Sequence, residues 1–76
     1  MDHFPVVDLS RTGQKIHQLR VGSGLSVKQL QSAFGFSTPQ AIYKWQRGDT
    51  MPTIDNLLVL SDLFGVPIDD ILVRRD

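Results

Sequence analysis

The chain has 76 residues, 41% of them hydrophobic and 21% charged, with no cysteine, and its eight basic and eight acidic residues cancel. One domain of this size buries only about 60% of the surface its unfolded chain exposes, which leaves little room for a large enclosed catalytic cavity. The absence of cysteine excludes disulfides, thiolate catalysis and cysteine-ligated zinc, and the ordinary composition argues against wholesale disorder.

The longest aliphatic run, Leu57-Leu58-Val59-Leu60, is far short of the roughly 20 apolar residues that span a bilayer. The start, Met1-Asp2-His3-Phe4-Pro5, has neither the positive nor the apolar region of a secretory signal. A cytoplasmic, bacterial protein without a membrane partner is expected.

Zero net charge hides an uneven distribution. Residues 9 to 47 carry Arg11, Lys15, Arg20, Lys28, Lys44 and Arg47 without an acid, a charge of +6. Residues 48 to 76 carry Asp49, Asp55, Asp62, Asp69, Asp70 and Asp76 against Arg74 and Arg75, a charge of −4, and Asp2 and Asp8 complete the balance. A basic middle and an acidic end suit a protein that turns one face toward a polyanion.

In chain order, residues 1 to 9 read as an extended arm, because Pro5 suits neither a helix interior nor a central strand. The body, residues 10 to 73, reads as five helices, followed by a tail at 74 to 76. The first helix, about Ser10 to Val21, follows the spacing of Leu9, Ile16 and Leu19, and Gly22-Ser23-Gly24 ends it. That glycine pair does not continue into G-x-G-x-x-G and no strand precedes it, so it is a turn and not a nucleotide loop. Ser26-Val27-Lys28-Gln29 is a capping box that starts a second helix, which runs to about Phe34 and stops at Gly35.

Ser37-Thr38-Pro39-Gln40 reads as a second capping box with Pro39 in the first turn, opening a third helix that ends at Arg47 before Gly48. Thr53 can cap a fourth helix, about Ile54 to Phe64, closed by Gly65. A fifth, about Ile68 to Val73, has Asp69 and Asp70 in its first turn, where carboxylates favour the positive end of the helix dipole. No run alternates like a strand over four residues. The expected fold is all-α.

On the third helix, Ile42, Trp45 and Thr38 share one side, which is the core face. Gln40, Tyr43, Lys44 and Arg47 share the opposite side, and their chemistry suits DNA: glutamine for adenine, lysine for guanine, arginine for phosphate. A short helix, a turn holding Gly35 and a second, tightly started helix make a helix-turn-helix, whose second helix can enter a major groove.

The segments "IHQLRVGSGLS", "LQSAFGFS", "AIYKWQRGDTMP" and "NLLVLSDLFGVPIDDIL" resemble the helix-turn-helix family of lambda-repressor and Cro type, also called the xenobiotic-response-element family. The resemblance covers Ile16 to Leu72 and keeps the caps, the turn glycine and the G-x-x-x-P loop in register. It implies a compact five-helix DNA-binding domain with its helix-turn-helix at helices 2 and 3. It also implies that Thr38, Pro39, Gln40 and Lys44 face base edges with Tyr43 at the rim, and that Ser26, Lys28, Arg47 and Thr50 lie near phosphates.

Three positions depart from the family pattern. Val27 replaces the glutamine that usually grips the DNA backbone at the start of the scaffold helix, which removes one phosphate contact. Gln31 follows the buried leucine where a small residue is usual, so either the helix crossing widens or Gln31 hydrogen-bonds across it. Gln46 stands where a glutamate usually pairs with the counterpart of Arg20. A hydrogen bond replaces the ion pair, leaving Arg20 freer to attract phosphate but costing stability if the cation is partly buried.

Trp45 reads as packing, while Tyr43 leans toward DNA. His3 and His17 are isolated and suggest no metal. No Ser/His/Asp or paired-carboxylate arrangement points to an enzyme, and no cofactor or small-molecule ligand is implied.

On the fourth helix, Ile54, Leu57, Leu60, Ser61 and Phe64 fall on the core side, with Leu58 at its edge and Val59 and Leu63 nearly opposite. Leu58, Val59 and Leu63 are candidates for self-association, since such regulators commonly read two half-sites as a two-fold dimer. Scattered surface aliphatics, or cover by Phe4 to Val7, are the competing explanations. The function expected is a sequence-specific, double-stranded-DNA-binding transcriptional repressor governed by its own concentration, dimerisation or a partner protein. The alternative is a protein-interaction module of the same fold, antitoxin-like or antagonist, binding through helices 4 and 5.

Overall fold

A computed structural model describes residues 4 to 75. His3, the first residues of the arm and Asp76 lie outside the described residues. Four α-helices follow one another: α1 (Leu9–Gly22), α2 (Val27–Phe34), α3 (Gln40–Arg47) and α4 (Ile54–Phe64). One turn of 3-10 helix, Ile68–Asp70, comes next, and two-residue strands β1 (Val6–Val7) and β2 (Arg74–Arg75) pair antiparallel.

The helix starts follow local chemistry. Asp8 caps α1 by accepting from the Arg11 N–H at 2.9 Å, a cap that apolar spacing alone does not reveal. Ser26 and Gln29 form the expected capping box on α2, with bonds of 3.0 and 2.8 Å. Thr53 caps α4 through the Asn56 N–H. The second expected box does not form. Residues 37 to 39 bend, Pro39 itself occupies the cap position, and no side chain caps α3. Thr38 therefore lies before the helix and is exposed, and not on a core face.

The fifth helix is also corrected, to a single 3-10 turn. The Val73 N–H donates to the buried Thr12 hydroxyl at 2.9 Å, and the Val73 carbonyl accepts from the Asp8 N–H at 2.8 Å. These long-range bonds draw the chain out of helical geometry after Ile71 and bring β2 beside β1. The ends of the chain are thus tied to each other and to the first turns of α1.

Ile16, Leu30, Ile42, Trp45, Leu57, Leu60, Phe64 and Ile71 form the core. Each helix contributes at least one of them, which binds the four into one unit. On α4 the buried stripe is Leu57, Leu60 and Phe64, while Ile54, expected inside, is 70% exposed. Ile54 occupies the open first turn, about 90° from the centre of that stripe at 100° per residue. Ser61 is half-buried and donates its hydroxyl to the Val66 carbonyl. Leu9 is also exposed, so Ile16 and Leu19 carry the packing of α1.

The closest approach in the fold is between α1 and α3. A Cβ on Gly13 would stand 2.6 Å from the Gln46 carbonyl oxygen and nearer still to that of Trp45. Gly48, at φ 80°, also comes near the start of α1, with Ser10 Cα 2.7 Å from where its Cβ would be. Gly13→Ala should therefore destabilise the domain by about 2 to 3 kcal/mol, the cost of forcing atoms into a filled interface. Urea unfolding measures it, and a loss below about 0.5 kcal/mol, the usual scatter of surface substitutions, would contradict the close packing.

Candidate nucleic-acid interface

The structure sorts α3 into two faces. Ile42 and Trp45 are buried, whereas Gln40, Tyr43, Lys44 and Arg47 are exposed. Trp45 meets Phe34 edge-on at a centroid distance of 5.4 Å and Phe36 at 5.9 Å, and the two phenylalanines stack at 5.0 Å. This aromatic trio joins α2, the turn and α3. Aromatic pairs in such offset and edge-on geometries add about 0.5 to 1.5 kcal/mol each beyond their buried area. Their rigidity fixes which side chains α3 turns outward.

The turn between α2 and α3 depends on Gly35, at φ 69°, whose N–H closes onto the Ser32 carbonyl. A left-handed residue here redirects the chain without a Cβ penalty. Ser37, Thr38 and Pro39 then lead into α3, with Thr38 exposed and Pro39 half-buried. Thr38, Pro39, Gln40, Tyr43 and Lys44 are thus brought together at the start and outer side of one helix.

Arg20 is half-buried, and each of its three guanidinium nitrogens has a neighbour. Its Nε donates to Gln46 Oε1 at 2.9 Å, its Nη1 donates to the Leu25 carbonyl at 2.7 Å, and its Nη2 lies 3.3 Å from His17 Nδ1. The hydrogen bond expected in place of the family's ion pair is present. Through it one cation links the end of α1, the entry to α2 and the end of α3, a role of which the family resemblance implied only the Gln46 bond. His17 is accordingly a neighbour of Arg20, and among the described residues no group of three or more His, Cys, Asp or Glu is placed to hold a metal ion.

The residues expected near phosphates differ in what their side chains already touch. Ser26 spends its hydroxyl on the α2 cap, while Lys28 and Thr50 are exposed. Arg47 is exposed and pairs with Asp49 at 2.9 Å. Such a solvent-facing pair contributes little to stability, so its guanidinium can change partners at small cost. Gln31 does not reach across to α3. It bends back instead and donates to the Phe36 carbonyl at 3.3 Å.

A short helix, a left-handed glycine turn, and a second helix with a polar, basic outer face define a helix-turn-helix protein. The helix-turn-helix family model matches residues 16–71, and the chain belongs to that family, in its lambda-repressor-like group of DNA-binding regulators. Over 59 residues, 78% of the chain, it is 36% identical to the HTH-type transcriptional activator BcrR of Enterococcus faecalis, and it spans 28% of that relative's length. Among solved structures, it is similar to the DNA-binding domain of BldD, with a TM-score of 0.71 and 27% identity over 86% of this chain and 93% of that one. The S. venezulae BldD DNA-binding domain matches with the same score and identity, over 86% of this chain and 96% of that one. Among the described residues, no helix is long and apolar enough to cross a membrane.

Proposed function

We propose that the protein is a sequence-specific regulator of transcription that binds double-stranded DNA by laying α3 in the major groove. One observation carries this reading. The outer face of α3 presents Gln40, Tyr43 and Lys44 from a helix whose inner face is locked by Ile42, Trp45 and the close approach of α1. Long polar side chains on a rigid, exposed helix suit base edges. The similarity to BldD DNA-binding domains and to a transcriptional activator supports the same direction.

In this reading Thr38, Pro39, Gln40 and Lys44 meet base edges, Tyr43 contacts the rim of the groove, and Ser26, Lys28, Arg47 and Thr50 lie beside phosphates. Arg20 contributes a cation near the backbone while bracing α3 through Gln46. Asp49 pairs with Arg47 at the end of α3, whereas Asp55, Asp62, Asp69 and Asp70 belong to α4 and the turn after it, so most of the acidic residues lie on other elements. Protein bound over an operator shields it, and repression is the outcome we propose. The cytoplasm, where bacterial DNA is accessible, is the proposed location.

Selection from a pool of random duplexes, read by sequencing at two salt concentrations beside Lys44→Glu, tests this reading. A short motif should emerge, weaken with salt as phosphate contacts require, and vanish in the variant. Gln40→Ala and Lys44→Ala should each cost about 1 to 3 kcal/mol on that motif and relax one base preference. A folded protein that enriches nothing would overturn the reading in favour of a protein-interaction module.

We also infer that two copies occupy two half-sites and meet through α4, where Leu58, Val59 and Leu63 are 54%, 37% and 36% exposed. The arm is paired with β2, so its strand has a partner other than α4. Sedimentation at high protein concentration should show a dimer that Val59→Lys with Leu63→Lys dissociates. Unchanged sedimentation would remove α4 as the contact.

A further inference from the structure

Gln31 takes the place of a small residue in a helix-turn-helix, and the structure shows how its length is used. Its backbone carbonyl accepts from the Phe36 N–H at 3.0 Å, and its side-chain Nε2 donates to the Phe36 carbonyl at 3.3 Å. One residue of α2 therefore holds both backbone polar groups of one residue in the turn. The Phe36 ring is held as well, stacked on Phe34 and edge-on to Trp45.

The chain beyond Phe36 has much less support. Residues 37 to 39 are bends, and α3 begins without a side-chain cap. The Thr38 hydroxyl lies 3.5 Å from the Gln40 N–H, beyond the ordinary range for such a bond. The Pro39 carbonyl accepts from the Tyr43 N–H at 3.2 Å, so the direction in which the chain leaves Phe36 sets where Thr38 stands and how Pro39 enters α3.

We propose that Gln31 is a positioning residue for base readout: its two-point grip on Phe36 fixes the Phe36–Ser37 peptide and thereby aims Thr38 and Pro39 at the entry to α3. The proposal rests on the DNA-reading function argued above. A small side chain at this position supplies only the backbone half of the grip. Rotation of the peptide then swings Thr38 and shifts Pro39 at the entry to α3, while Gln40 and Lys44 stay in place because they belong to the helix that buried Ile42 and Trp45 hold. The effect is confined to the bases that face the start of α3.

Gln31→Met tests this, because methionine keeps the length, the unbranched shape and the helix preference while removing the donor. Selection on random duplexes should give the variant the wild-type salt dependence and the wild-type preference opposite Lys44. Discrimination at the bases opposite Thr38 and Pro39 should fall about tenfold, the scale of one good base contact. A folded variant with wild-type preference at every position overturns the proposal and leaves the DNA reading standing. A wild-type protein that enriches no motif overturns both. In the wild type, the Gln31 side-chain amide protons should exchange with solvent more slowly than those of the exposed Gln14 and Gln18, and equal rates overturn the grip even if Gln31→Met does not fold.

Discussion

Gly13 lets the backbone of α1 approach the last turn of α3 at a distance that leaves no space for a methyl group. A glycine inside a helix costs about 0.5 to 1 kcal/mol relative to alanine, so its presence in the middle of α1 needs compensation. The close approach supplies it. With the two helices this near, Arg20 reaches Gln46 and Leu25 together, Gly48 fits against Ser10, and Trp45 sits deep enough to meet both Phe34 and Phe36. α3 is thereby fixed from behind by α1 and from one end by α2, which leaves a single face free for a ligand.

The same arrangement separates two kinds of charge. Half-buried Arg20 is satisfied internally by hydrogen bonds, so it braces the fold without an acidic partner. Lys28, Lys44 and Arg47 stay at the surface, where a polyanion can use them. Replacing the usual glutamate by Gln46 keeps the brace and removes a negative charge close to the basic face of α3. A phosphate backbone meets less local repulsion as a result.

Much of this was legible in the sequence, and the parts that were not share a cause. The Ser26–Gln29 box, the glycine stops, the α3 faces apart from Thr38 and the Arg20–Gln46 bond are short-range or family-register features, and the structure contains each of them. The failures came from long-range competition. Thr12 and Asp8 capture Val73 across the length of the chain, and no local propensity at Ile68 to Val73 announces that. Ser37 has the right chemistry for a cap, but the chain is steered by Gln31 and the aromatic trio, so α3 starts at Gln40. Ile54 fits the apolar period of α4 yet lies in a first turn that no neighbouring element covers. Gly13 and the Asp8 cap are legible in principle, since a glycine between polar residues in a helix asks for a close neighbour and an aspartate before a helix suits its N-terminus.

The account stands on α3 entering the major groove, and methylation interference on an enriched duplex tests that most directly. Methyl groups at guanine N7 obstruct the major groove, and those at adenine N3 obstruct the minor groove. The account predicts that N7 methylation within the motif abolishes binding while N3 methylation leaves it largely intact. Interference confined to adenine N3, or spread evenly over the duplex, would contradict it.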